Sequence, residues 1–437
     1  MRDRGGTEAG TPAAEQRRTV AVVGSGVAGL VCAHLLDGRH DVTVFEADDR
    51  LGGHTNTVTV EDPDAGPVGV DTGFIVHNDR NYPNLVRLFE RLNVPTQDSE
   101  MSFSVTDQTG FTYRATNPAT LLARPGNVLD RRFWRMLADI VRFYRSANRF
   151  LETPDPALTI GDFLRRGRYS AAFIDLHLLP MGAAVWSTSP SDFEAFPAQT
   201  LFTFLSNHGL LGIGDRPQWR TVTGGSNTYV DAIVDRFAGT IRAATPVTAV
   251  TRSRNAADGS PRPVDITTSA GTERFDAVVM ACHSDQALKL LADPTPTEQD
   301  VLGAIGYQDN VAVLHTDTSV LSPARRAWAA WNYHARPGQT LPSLTYDLTA
   351  LQRLPGRHRY LVTLNPDPAN PPDEVIATFN YAHPVFTKAA IEAQARVDEI
   401  NGVDGVYFCG AYWRYGFHED GVLSALRVCD MLGAPGL

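Results

Sequence analysis

Three glycines at 24, 26 and 29 stand in the run Gly-Ser-Gly-Val-Ala-Gly, directly after the apolar stretch Thr19–Val23 and before a helix-patterned stretch over 30–36. Glycines at this spacing suit anion binding. Gly24 makes the tight turn, Gly26 admits a pyrophosphate against bare backbone, and Gly29 lets helix and strand pack closely. Ser25 completes the turn, and Val27 and Ala28 open a helix whose unpaired N–H groups and dipole favour negative charge. Gly38 stops that helix, and 41–46 (DVTVFE) reads as a second short strand ending in Glu46, an acceptor for a ribose hydroxyl. Strand, glycine turn, helix, strand and acid together predict a bound dinucleotide.

Glycine-rich turns occur in many folds, so the choice between flavin and nicotinamide rests on the residues from Glu46 onward. Glu46, Ala47, Arg50, Gly52, Gly53, His54 and Thr55 form the run ExxxRxGGHT. It resembles the segment after the ribose-binding acid in the flavoprotein superfamily of amine oxidases, phytoene desaturases and protoporphyrinogen oxidases. The resemblance implies FAD, with the paired glycines against its diphosphate and ribityl chain. Segment 68–75 (VGVDTGFI) is similar to the stretch that passes the flavin, which puts Gly73 and Phe74 nearest the ring. Segment 223–230 (TGGSNTYV) gives a glycine turn and a helix to about residue 237, capped by Ser226 or Asn227. A strand over 245–250 then re-enters the nucleotide domain, and by the same resemblance the backbone of Val247 touches adenine.

Residues 405–427 (GVYFCGAYWRYGFHEDGVLSALR) close the resemblance. Gly410 and Ala411 follow the last strand, and relatives carry an acid where this chain has Ala411. A helix from about 421 to 432 is expected to aim the amides of Gly421 and Val422 at the flavin N1/O2 edge. With WSTSP (186–190), NHGLL (207–211) and TGGSNTYV, this run is similar to a bacterial family of predicted NAD/FAD-binding, FAD-dependent oxidoreductases linked with fatty-acid modification, over about residues 19–432.

The elements that position these residues define an α/β fold class: a Rossmann-like FAD-binding domain of the GxGxxG type with a mixed α+β substrate domain formed by insertions. Residues 19–76, 220–298 and 400–437 are assigned to the first, 77–219 and 299–399 to the second, and 1–18 to a disordered lead. The 437 residues allow two or three domains at roughly 100–200 residues each. A net charge of -10 argues against nucleic acid as a partner. Four cysteines without a CxxC pair predict neither a disulfide framework nor a metal site, although Cys409 and Cys429 could pair. Arg17-Arg18 before an apolar stretch is the one feature a twin-arginine signal would share. The glycine turn explains that stretch better, so a cytoplasmic protein is expected, with peripheral membrane contact left open.

For the chemistry, amine-oxidising relatives commonly carry a lysine in the substrate domain, and the stretch 304–315 where it is expected has none; the chain has only Lys289 and Lys388. The insertions are rich in aromatic and apolar residues, among them Phe133, Trp134, Phe143, Phe173, Trp186, Phe202 and Phe204. A desaturase- or oxidase-like enzyme is therefore expected, taking hydride from a hydrophobic, lipid- or isoprenoid-like substrate to flavin N5, with oxygen or a quinone as acceptor. A double-bond isomerase, an amine oxidase and a non-catalytic flavin-binding protein are the alternatives. A nicotinamide-linked reductase is weaker, because no second GxGxxG unit appears. Candidate catalytic residues are His418 with Glu419, and Tyr412, which with Trp413, Tyr415 and Phe417 could wall the flavin. His208 is a further candidate, as is His54, which also stands where flavin could be attached covalently.

Overall fold

The computed structural model describes residues 17–115, 118–186, 190–212, 217–253, 263–336, 341–434 and 436–437. Residues 1–16 of the expected lead, and 187–189 of the WSTSP motif, lie outside them.

The first strand, β1 (Thr19–Val23), is buried from Val20 onward, and its continuous apolar run suits the middle of a parallel sheet covered on both faces. It pairs in parallel with β2 (Asp41–Phe45) on one side and with Ala277–Met280 on the other. Thr240–Arg242 adds beyond β2 and Val406–Phe408 beyond Ala277–Met280, giving five parallel strands drawn from three separated stretches of chain. The helix α1 (Val27–Leu36) has nine of ten residues buried, because it is wedged between this sheet and the last helix, His418–Met431. An apolar helix with no polar face is what such a wedge requires.

Two elements differ from expectation in their bounds. The strand expected over 245–250 is Val247–Arg252, and it does not join the parallel sheet; it pairs antiparallel with Val264–Thr268, which pairs with Gly271–Phe275. The short Thr240–Arg242, just before it, is the strand that pairs in parallel with β2. The helix after the Gly224-Gly225 turn runs Asn227–Val234 and stops three residues early. Cys409 and Cys429 are free thiols, as are Cys32 and Cys282, and the Sγ of Cys409 lies 3.8 Å from that of Cys32.

Residues 103–114 and 306–385 build a seven-stranded sheet, with Gly306–His315 between Val375–Val385 and Leu361–Leu364. Helices Arg131–Glu152, Ile160–Gly167 and Ala198–Asn207 enclose a separate aromatic cluster in which Phe143, Phe173, Phe193 and Phe202 are at most 1% exposed. Most of the aromatic residues of the insertions are ordinary core, and Trp134 faces solvent. The hairpin of β3 (Thr57–Asp62) and β4 (Gly66–Asp71) brings Gly73 and Phe74 back beside the 52–55 loop. Among the described residues no helix is long and apolar enough to cross a membrane, and no cluster of His, Cys, Asp and Glu is arranged to hold a metal ion.

Candidate functional site

The glycine turn sits where β1 ends and α1 begins, and it is fixed by the strands around it. Gly24 N–H donates to the Phe45 carbonyl at 2.8 Å. A Cβ on Gly29 would fall 2.0 Å from the Gly24 carbonyl oxygen, so only glycine lets helix and turn approach this closely. Gly26 is different: a Cβ there meets nothing within 4 Å. The open space at Gly26 is bordered by Gly53, whose own Cβ would lie 3.1 Å from the Gly26 Cα. Two bare backbone segments therefore face one another at the N-terminus of α1, a cradle that fits a diphosphate.

Glu46 stands at the end of β2, half-buried, and its Oε2 accepts from Ser25 N–H at 2.8 Å and Ser25 Oγ–H at 2.5 Å. Thr245 N–H donates to the Glu46 carbonyl, which places Val247 two residues away on the same side. Ala47 is exposed. Arg50 points inward: its guanidinium donates to the carbonyls of Gly53 and Thr55, both at 2.9 Å, and so braces the 52–55 loop. The His54 carbonyl accepts from Phe74 N–H at 2.8 Å, and a Cβ on Gly73 would fall 2.0 Å from the same oxygen. Thr55 is fully buried, with Oγ1 3.0 Å from His418 Nε2 and 2.5 Å from the Tyr229 hydroxyl.

The last helix begins three residues earlier than expected, at His418. Asp420 accounts for this, since its Oδ2 accepts from Phe417 N–H and Tyr415 N–H and so ties the entering chain to the first turn. The amides of Asp420 and Gly421 donate to the Phe417 carbonyl. Among the described residues the unpaired amides of the first turn are consequently those of His418 and Glu419, not Gly421 and Val422. Val422 is buried in the core, and a Cβ on Gly421 would come within 2.7 Å of Val27 Cγ1. That contact sets the N-terminal ends of α1 and the last helix side by side.

His418 stacks on Phe74 with ring centroids 3.7 Å apart and planes at 17°. Burial pushes its pKa down to about 3, so the ring is neutral at pH 7. Glu419 leaves the helix on another face, toward α2 (Pro83–Leu92), where it accepts from the amides of Asn84 and Leu85 and from Asn84 Nδ2 at 2.6 Å. It caps α2, and the expected His418–Glu419 pair is not formed. Tyr412 is 3% exposed, packed on Trp413 and against Gly410, with its hydroxyl unpartnered among the described residues. Ala411 is half-buried, and Gly410 N–H donates to Ser424 Oγ. Tyr415 and Phe417 line an open cleft of about 600 Å³ with His208, Tyr82 and Arg414, on the Glu419 side of the helix. His208 stacks there on Phe204.

One feature escaped sequence reasoning. His54 lies 5.8 Å from His283 and 5.4 Å from His383 by ring centroid, with Tyr381 at 5.0 Å and Tyr307 stacked on His283. All three imidazoles are half-buried, and burial lowers the pKa of each, that of His383 to about 4. Asn310, on strand Gly306–His315, is 1% exposed and lies 3.0 Å from His383 Nδ1 through its amide. These residues come from three distant stretches, and no local pattern announces them.

The geometry agrees with comparison to known proteins. One 76-residue stretch is 40% identical to 15-cis-phytoene desaturase of Synechococcus elongatus; it spans 17% of this chain and 15% of that protein. Among solved structures, a CLA-producing fatty acid isomerase from P. acnes superposes with a TM-score of 0.65 at 16% identity, covering 97% of this chain and 99% of that one. Cyclohexylamine oxidase from Brevibacterium oxydans gives 0.66 at 16% identity over 96% and 100%. Those likenesses establish the fold. The model of the flavin-containing amine oxidoreductases matches residues 27–432. The chain belongs to that family, and is an FAD-dependent oxidoreductase.

Proposed function

We propose that this oxidoreductase removes hydrogen from a neutral, hydrophobic substrate of lipid or isoprenoid type, not from an amine. The observation that carries this reading is Asn310. It occupies the strand where amine-oxidising relatives are expected to carry lysine, and its amide is tied to His383, the Gln308 carbonyl and Asn365. Both lysines of the chain are far from such a role: each is exposed and paired to an acid on its own helix, Lys289 with Asp285 and Lys388 with Glu392. His54, His283, His383, Tyr307 and Tyr381 gather their rings beside the 52–55 loop, an aromatic surface that supports the reading of a hydrophobic substrate.

FAD, when bound, supplies the acceptor for the hydride equivalent. The chain holds it with the backbone at Gly26 and Gly53, the N-terminus of α1 and the Glu46 carboxylate, while Arg50 keeps the 52–55 loop in place. The amides of His418 and Glu419, at the positive end of the last helix, favour negative charge on whatever meets them. His54 and His383, held neutral, retain the capacity to take up a proton.

The test is anaerobic mixing of the FAD-loaded protein with long-chain unsaturated fatty acids, isoprenoid hydrocarbons and aliphatic amines, followed at the flavin absorption band. Bleaching by a lipid or isoprenoid, with amines inert, is the expected result. Bleaching by amines alone overturns the proposal, and indifference to every compound favours a flavin-binding protein without this activity.

A further inference from the structure

Ten large apolar side chains stand out as exposed among the described residues, and five of them (Leu122, Val128, Leu129, Trp134 and Val141) fall within a single stretch of twenty residues. Leu129 is 89% exposed at the tip of the turn Pro125–Leu129, and Trp134 is 53% exposed on the following helix, Arg131–Glu152. The indole Nε1–H of Trp134 donates to the Val128 carbonyl at 2.9 Å, so turn and helix present one surface. At about 100° per residue, Trp134, Ala138, Val141 and Arg145 lie within roughly 60° of arc, opposite the buried Met136 and Phe143. An apolar stripe on the solvent side of a helix calls for a partner.

The charge around the stripe says which kind. Residues 122–149 hold seven arginines and two aspartates, a local excess of +5 on a chain of net charge -10. The aspartates are occupied: Asp130 by Arg132, and the buried Asp139 by Arg142 with Arg135. Arg131, Arg145 and Arg149 have no acidic partner among the described residues, and Arg142, Arg145 and Arg149 line a groove of about 400 Å³ beside Val141. Exposed apolar side chains beside guanidinium groups, of which those of Arg131, Arg145 and Arg149 have no acidic partner among the described residues, match the headgroup layer of an anionic membrane, where arginines meet phosphate and Leu and Trp enter the acyl boundary.

We propose that this face, from Leu122 to Arg149, docks the protein on the surface of an anionic lipid bilayer. The inference is independent of the substrate, because it rests on a surface remote in sequence from the cofactor residues.

The experiment is co-sedimentation of the FAD-loaded full chain with vesicles of phosphatidylcholine alone and of phosphatidylcholine with phosphatidylserine. Binding to the second and not the first is expected, weakening as salt is raised. Arg145→Gln with Arg149→Gln should weaken it about 25-fold, at about fivefold per arginine. Leu129→Ser with Trp134→Ser should also weaken it, and retention of bound FAD reports that both variants are folded. Equal binding to the two vesicle types, binding to neither, or variants that bind like the parent would each overturn the proposal. So would concentration-dependent self-association that these substitutions abolish without vesicles, since a second copy would then be the partner.

Discussion

Gly26 and Gly29 are three residues apart and look alike in the motif, yet the structure predicts opposite consequences for an added methyl group. In Gly26→Ala the new Cβ enters open space, and the backbone there (φ -63°, ψ 176°) is allowed to any residue. Alanine is a poorer helix cap than glycine by a few tenths of a kcal/mol up to about 1. The loss of freedom in the unfolded chain returns about 0.4–1 kcal/mol, so the cofactor-free protein should keep its stability to within about 0.5 kcal/mol. The same methyl group fills the space where a diphosphate would meet bare backbone, and overpacking of about 1–3 kcal/mol would weaken FAD binding about 5- to 150-fold. In Gly29→Ala the Cβ falls 2.0 Å from a backbone oxygen, so helix and turn must separate and the cofactor-free fold itself loses about 1–3 kcal/mol or more. Urea unfolding of the cofactor-free variants and titration with FAD by flavin fluorescence quenching separate the two effects. Unchanged FAD affinity in Gly26→Ala, or a cofactor-free Gly26→Ala as unstable as Gly29→Ala, would refute the assignment of that space.

Other sites give further tests. Glu419→Ala should lower stability by about 1–2 kcal/mol through loss of the α2 cap while leaving the bound flavin spectrum unchanged; a spectral change would return Glu419 to the cofactor site. Arg252 and Glu298 form a buried pair, 6% and 1% exposed, so Arg252→Met should cost about 3–5 kcal/mol in chemical denaturation, and Arg252→Met with Glu298→Leu distinctly less. Burial holds His77, His177, His334 and His383 near pKa 4 and His418 near 3, below the ordinary 6.5. Between pH 6.5 and about 4 the unfolded chain binds these protons and the folded chain does not, so stability should fall as pH drops through that window. Asp71 and Asp420, raised by burial to about 6, act in the opposite sense but are outnumbered. Melting temperatures flat from pH 7 to 4.5 would contradict this balance.

How much of the fold and site was legible in the residues depends on how local each feature is. The first strand, glycine turn, helix and Glu46 could be read because every contact among them lies within about thirty residues and each glycine answers a near neighbour. The start of the last helix could not, since its cap is Phe417 with Asp420, and an aromatic residue is no familiar opening for a helix. The strand over 245–250 could be read, two residues early, but not its partner, because an apolar alternating run says nothing about what it pairs with; the three-residue Thr240–Arg242 is too short to stand out. Pairing of His418 with Glu419 was an inference from adjacency, and adjacent residues on a helix point about 100° apart. The His54, His283 and His383 group depends on contacts across more than 300 residues, beyond the reach of any local pattern.

A single FAD held at once by the opening glycine turn and by the first turn of the last helix would join two segments separated by nearly the whole chain. Amide hydrogen exchange with and without one equivalent of FAD measures this directly. Slowed exchange is predicted both at residues 24–29 and at His418 and Glu419, saturating at one FAD per chain. Protection confined to one of the two segments would contradict it.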